Sequence, residues 1–92
     1  MDFARHSRKD TASFVTGEEL CTQFGRRLRA IRRGRDVTQE KLAEYCGLSP
    51  EYVSHIERGK ASPSFDVIAS LSEELDVEPK SLFDFTGLET RS

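Results

Sequence analysis

The chain has 92 residues, 36% of them hydrophobic and 33% charged, with a formal net charge of −2. That composition supports one small domain with a modest core and a heavily charged surface. No apolar run approaches the roughly 18 residues of a membrane helix, and the first 17 residues lack the apolar stretch of a secretory signal, so a cytoplasmic chain without a membrane partner is expected.

Residues 1–17 are polar and aperiodic and read as a flexible N-terminal arm. From residue 18 the pattern turns helical. Leu20, Phe24, Leu28 and Ile31 recur on one stripe of a 3.6-residue period, and the helix ends in the stretch "RRGRDV" that holds Gly34. Thr38 caps a second helix, "TQEKLAEYC", with Glu40 in its first turn, inward residues Leu42, Ala43 and Cys46, and Gly47 as its stop. Ser49 caps a third, "SPEYVSHIERG", in which Pro50 suits the first helical position and Val53 and Ile56 face the core. Pro63 and Ser64 lead into a fourth helix with Phe65, Ile68, Leu71, Ser72 and Leu75 on one side, broken at Asp76-Val77-Glu78-Pro79. Pro79 opens a short fifth helix carrying Leu82, Phe83 and Phe85, and residues 87–92 read as a frayed tail. The expected class is all-α: five helices in one domain over 18–86.

Cys21 and Cys46 lie outside any CxxC or Cys/His cluster, which argues against a metal site. The thiol of Cys46 is expected to pack as a small hydrophobe. With no glycine-rich phosphate loop and no assembled nucleophile–base set, catalysis and a bound cofactor or small-molecule ligand are not expected.

Charge is unevenly distributed. Residues 22–60 hold nine Lys/Arg against five acids, and residues 61–92 hold two against seven. A polyanion responds to the local field and not to the total. Six of the ten residues of "RRLRAIRRGR" are arginine, a density that a phosphate backbone would relieve. On the third helix, at about 100° per residue, Glu51, Ser54, His55 and Arg58 point away from Val53 and Ile56. Two helices joined by a short glycine-containing turn, the second with an outward polar face, match a helix-turn-helix whose second helix enters a DNA major groove.

The stretch "TQEKLAEYCGLSPEYVSHIERGKASPS" resembles the lambda-repressor-like helix-turn-helix family of xenobiotic-response-element (XRE) type. It carries Gln39, Leu42-Ala43, Gly47, Val53, Ile56-Glu57-Arg58-Gly59-Lys60 and Pro63-Ser64 in the family's order. "SPEYVSHIERG" leans toward small stand-alone regulators, including restriction–modification controllers. The resemblance implies a transcriptional regulator that binds double-stranded DNA as a homodimer on a near-palindromic operator. It implies base contacts at Pro50, Glu51, Tyr52, Ser54 and His55, and phosphate contacts at Arg32, Thr38, Gln39, Arg58 and Lys60. It also implies an Arg32–Glu57 ion pair between the first and third helices, and a dimer contact at Leu82, Phe83 and Phe85. Two residues depart from the pattern: Pro50 stands where a polar residue is frequent, and Asp76 where glycine often ends the fourth helix. Arg5, Arg8 and Lys9 leave a minor-groove arm open beside a plain polar tail. Tyr52 equally suits packing. A protein-interaction module, an antitoxin or adaptor using the acidic C-terminal third, is the alternative function.

Overall fold

The computed structural model describes residues 15–87; the arm residues Arg5, Arg8 and Lys9 and the tail from 88 onward lie outside it. Four α-helices follow one another: α1 (Gly17–Gly34), α2 (Gln39–Cys46), α3 (Pro50–Glu57) and α4 (Phe65–Leu75). A terminal 3-10 helix, Pro79–Phe83, follows them. The all-helical expectation holds with one correction, since the fifth element is a five-residue 3-10 helix and not an α-helix.

Each of the four α-helices begins where a side chain can satisfy its unpaired backbone donors. Thr38, Ser49 and Ser64 accept from the backbone N–H groups of Lys41, Tyr52 and Val67 at 3.0, 3.1 and 3.1 Å. At the start of α1, Thr16 accepts from Glu19 N while Glu19 Oε1 accepts from Thr16 N, a reciprocal capping box. Thr16 and Gly17, assigned to the arm from sequence, therefore belong to the helix start. At the other ends, Gly47 (φ 70°) and Asp76 (φ 57°) both take the left-handed conformation that closes α2 and α4.

The core gathers Phe24 and Leu28 of α1, Leu42 and Ala43 of α2, and Val53 and Ile56 of α3. Ile68, Leu71 and Leu75 of α4 and Leu82 of the 3-10 helix complete it. Ile31 and Cys46 pack half-buried against this cluster. Two expected core residues lie outside it: Leu20 is exposed, and Phe65 is 87% exposed. Phe65 is the first residue of α4, and a helical side chain covers the turn N-terminal to its own Cα; at the first position there is no such turn to cover.

Gly25 sets how closely α1 approaches α3. A Cβ at that position would collide with the backbone carbonyl oxygens of Ile56 and Glu57. The middle of α1 therefore rests directly on the C-terminal end of α3.

Candidate nucleic-acid interface

α2 and α3 are joined by Gly47-Leu48-Ser49. Leu48 N donates to the Ala43 carbonyl at 2.8 Å, closing α2, and Leu48 itself packs half-buried against the core. The next residue already caps α3, so the connection leaves little freedom between the two helices.

α3 buries Val53, Ile56 and Glu57. Pro50, Glu51, His55 and Arg58 are exposed on its outer side, with Tyr52 and Ser54 half-buried on its flanks. Tyr52 also packs against the core. Arg58 and Lys60 follow the helix end, where Lys60 N returns to the His55 carbonyl at 2.8 Å and Gly59 turns with φ 74°. Both basic side chains remain exposed.

Behind α3 lies a buried charged hub. Arg32 Nε donates to Glu57 Oε2 at 2.6 Å and Arg32 Nη2 to Glu57 Oε1 at 3.0 Å, a two-pronged pair joining α1 to α3. Arg32 Nη1 donates to the Val37 carbonyl at 2.7 Å, and Gln39 Nε2 donates to Glu57 Oε1 at 2.9 Å. Such a buried pair contributes geometry more dependably than net stability. Arg32 had been assigned to a phosphate from sequence; that assignment is corrected, because its guanidinium is buried and committed on three nitrogens inside the protein.

Beside the hub, at the N-terminus of α2, Arg29, Arg32, Arg33, Thr38, Gln39 and Glu40 line an open recess of about 410 Å³. The positive end of the α2 dipole opens toward it. Arg29 and Arg33 are exposed, Thr38 is exposed, and Gln39 is half-buried. This recess brings together an expected phosphate contact on α2 with two arginines that sequence reasoning had not singled out from the rest of "RRLRAIRRGR". Their spacing of four on one helix was the available signal.

The expected dimer residues divide. Leu82 is 0% exposed and belongs to the monomer core, so it offers a partner no surface; that assignment is corrected. Phe83 is 40% exposed, with its ring 5.1 Å from that of Phe24 and 6.3 Å from that of Phe85. Phe65, which the periodicity had turned inward, instead joins Leu20, Phe24, Ile68 and Phe83 around an apolar groove of about 170 Å³. No helix among the described residues is long and apolar enough to cross a membrane.

The helix-turn-helix family profile, HTH_3, matches residues 28–82, more than half of the chain. The chain belongs to this helix-turn-helix family. The matched span runs from Leu28 through all of α2, α3 and α4 to Leu82. Among its relatives is the control protein C.BamHI of Bacillus amyloliquefaciens, 47% identical over 66 residues that cover 71% of this chain and 82% of that protein. The crystal structure of the restriction–modification controller C.AhdI from Aeromonas hydrophila superposes with a TM-score of 0.67 at 41% identity, covering 68% of this chain and 96% of that one. The P22 c2 repressor, solved in complex with a synthetic operator, superposes with a TM-score of 0.63 at 29% identity, covering 67% and 94%. The lambda-repressor-like fold and the lean toward controller proteins, both suggested by the helix-turn-helix stretch, agree with these relatives. As a helix-turn-helix protein the chain stands among transcriptional regulators and repressors.

Proposed function

We propose that this chain is a sequence-specific DNA-binding transcriptional regulator acting as a homodimer on a near-palindromic operator. The observation that carries the reading is the exposed outer side of α3, held in a fixed relation to the α2 N-terminus by the Arg32–Glu57–Gln39 hub. α3 enters the major groove, where base edges present distinct donor and acceptor patterns. Glu51 accepts from a cytosine amino group, and His55 reaches a base edge one turn further on. Pro50, which has no N–H, offers an apolar surface suited to a thymine methyl. Ser54 and Tyr52 border the same face. Thr38 and Gln39 at the start of α2, and Arg58 and Lys60 beyond α3, grip the backbone on either side. Repression or activation then follows from occupancy of the operator.

The second copy binds through the face that holds Phe65, Phe83 and Phe85. An exposed ring and an apolar groove on one face are what a two-fold axis needs, because each copy supplies both parts to the other.

The test is selection of bound duplexes from a random pool, followed by titration at two salt concentrations. The expected motif has two-fold symmetry with half-sites about 34 Å apart. Affinity should fall steeply, by about 10³-fold or more between 50 and 200 mM salt for a dimer making six or more phosphate contacts. An asymmetric motif would refute the dimer. Binding that ignores salt, or no enrichment at low salt, would refute DNA recognition and leave the fold as a protein-interaction module.

A further inference from the structure

Glu57 does more than close an ion pair. Its side chain is 1% exposed at the C-terminal end of α3, and its Oε1 accepts two bonds, one from Arg32 Nη2 and one from Gln39 Nε2. A carboxylate only accepts, so the end of the Gln39 amide that faces it is the NH₂ end. One N–H of that group is spent inward. The other, on the same planar nitrogen, is directed away from the carboxylate. Gln39 is the first residue of α2 and lines the recess beside Arg29 and Arg33. Its long side chain, which would otherwise sample many rotamers, is held by an acceptor that Arg32 fixes, and Arg32 is itself anchored by donating to the Val37 carbonyl.

We propose that Glu57 is a positioning residue for phosphate recognition. It holds the Gln39 amide so that the remaining N–H is presented to a DNA backbone phosphate at the mouth of the recess. The inference rests on the DNA-binding reading above. Three physical consequences follow from the geometry. The rotamer freedom of Gln39 is surrendered on folding and not on binding, which favours the bound state. The charge of Glu57, which alone would repel a phosphate, is neutralised by the Arg32 guanidinium, so that the group facing outward is a neutral donor. Because Glu57 belongs to α3, the same bond ties the backbone grip of α2 to the helix that reads bases, and the register of one fixes the register of the other.

The experiment uses the full chain and its selected duplex, with each backbone phosphate replaced in turn by a neutral methylphosphonate. The wild type is compared with Gln39→Ala, Glu57→Gln and the double variant. In the wild type, one position per half-site should cost about tenfold in affinity, and Gln39→Ala should be insensitive there. Glu57→Gln should lose the same penalty at that phosphate while keeping the penalties at all others, and the double variant should be no worse there than either single one. A merely structural Glu57 would lower affinity at every position and leave the penalty pattern intact, and that result overturns the inference. Should Glu57→Gln not fold, side-chain amide exchange in the free wild-type protein decides. One Gln39 Nε2 proton is expected to exchange at least severalfold more slowly than those of Gln23, and equal, fast exchange overturns the inference. A wild type that binds no duplex removes the DNA-binding reading and the inference together, whereas a bound duplex with an unchanged Glu57→Gln profile removes the inference alone.

Discussion

Asp76 holds a left-handed backbone, φ 57° and ψ 49°, at the end of α4. An L side chain there meets its own carbonyl oxygen, and glycine does not. The one side-chain hydrogen bond at this turn, from Arg35 Nη2, goes to the Asp76 backbone carbonyl and survives a change of side chain. Asp76→Gly should therefore stabilise the fold by about 0.5–1 kcal/mol, the relief of the left-handed strain less the added chain entropy. That is a rise in Tm of about 2–8 °C by thermal denaturation. Cys46 carries a pH dependence. Its thiol is pushed up from 9.0 to about 11, first by burial and second by the charge of Glu74. The folded state thus retains a proton that the unfolded chain gives up. The stabilisation is fully present below pH 9 and is lost as pH rises toward about 11. Denaturant midpoints at pH 8 and pH 10.5 should fall further for the wild type than for Cys46→Ala. At this scale the sequence told part of the story. Arg32 was expected both at a phosphate and against Glu57, and packing favours the second, because the side chain is 9% exposed and all three of its nitrogens donate within the protein. The Gln39–Glu57 bond needed three helices in place before it could be seen.

Helix positions were largely legible because their caps are written in the chain. Thr38, Ser49, Ser64 and Gly47 mark boundaries that the structure keeps. The capping box at Thr16 and Glu19 is written in the chain too, as Thr-x-x-Glu before an apolar stripe, but the polar residues before it run on without a break and mask where the helix starts. The 3-10 form of the last element was not legible: a five-residue helix that must seat Leu82 in the core has too few residues to gain much from α-helical hydrogen bonds. Nor was the role of Gly25, since a glycine in mid-helix reads as a mild defect until α3 is laid against it. Gly25→Ala should gain helix propensity of about 0.5–1 kcal/mol. It should lose more, about 1–3 kcal/mol, by forcing α1 away from two backbone carbonyls that have nowhere to retreat. In the same helix, Gly34→Ala meets nothing within 4 Å and should keep the gain alone. Chemical denaturation of the two variants side by side checks the contrast; equal effects would mean that the close approach of α1 to α3 is not rigid.

For the whole molecule, charge and apolar surface occupy separate regions. Among the described residues the basic side chains concentrate in α1 and just beyond the C-terminal end of α3, while the apolar groove lies between the start of α1, the start of α4 and the 3-10 helix. The proposed homodimer, with two copies of α3 one DNA turn apart, needs its self-association surface away from the surface proposed to grip phosphates, and this separation is consistent with that need. Periodicity alone hid the exposure of Phe65, which falls in register with Ile68 and Ser72 and yet overhangs the helix start. Because Phe65 is 87% exposed, Phe65→Ser removes little from the monomer core, and monomer stability should change by no more than about 0.5 kcal/mol. Its loss to self-association should be far larger, since an aromatic ring buried in a groove is the kind of side chain that dominates interfaces. Sedimentation equilibrium should show the wild type as a dimer and Phe65→Ser dissociating at concentrations at least tenfold higher, about 1.4 kcal/mol weaker. On DNA, the variant should still protect a half-site while losing the tight, cooperative occupation of the full one. Two copies of Phe65→Ser that associate as firmly as the wild type would place the two-fold axis on another face.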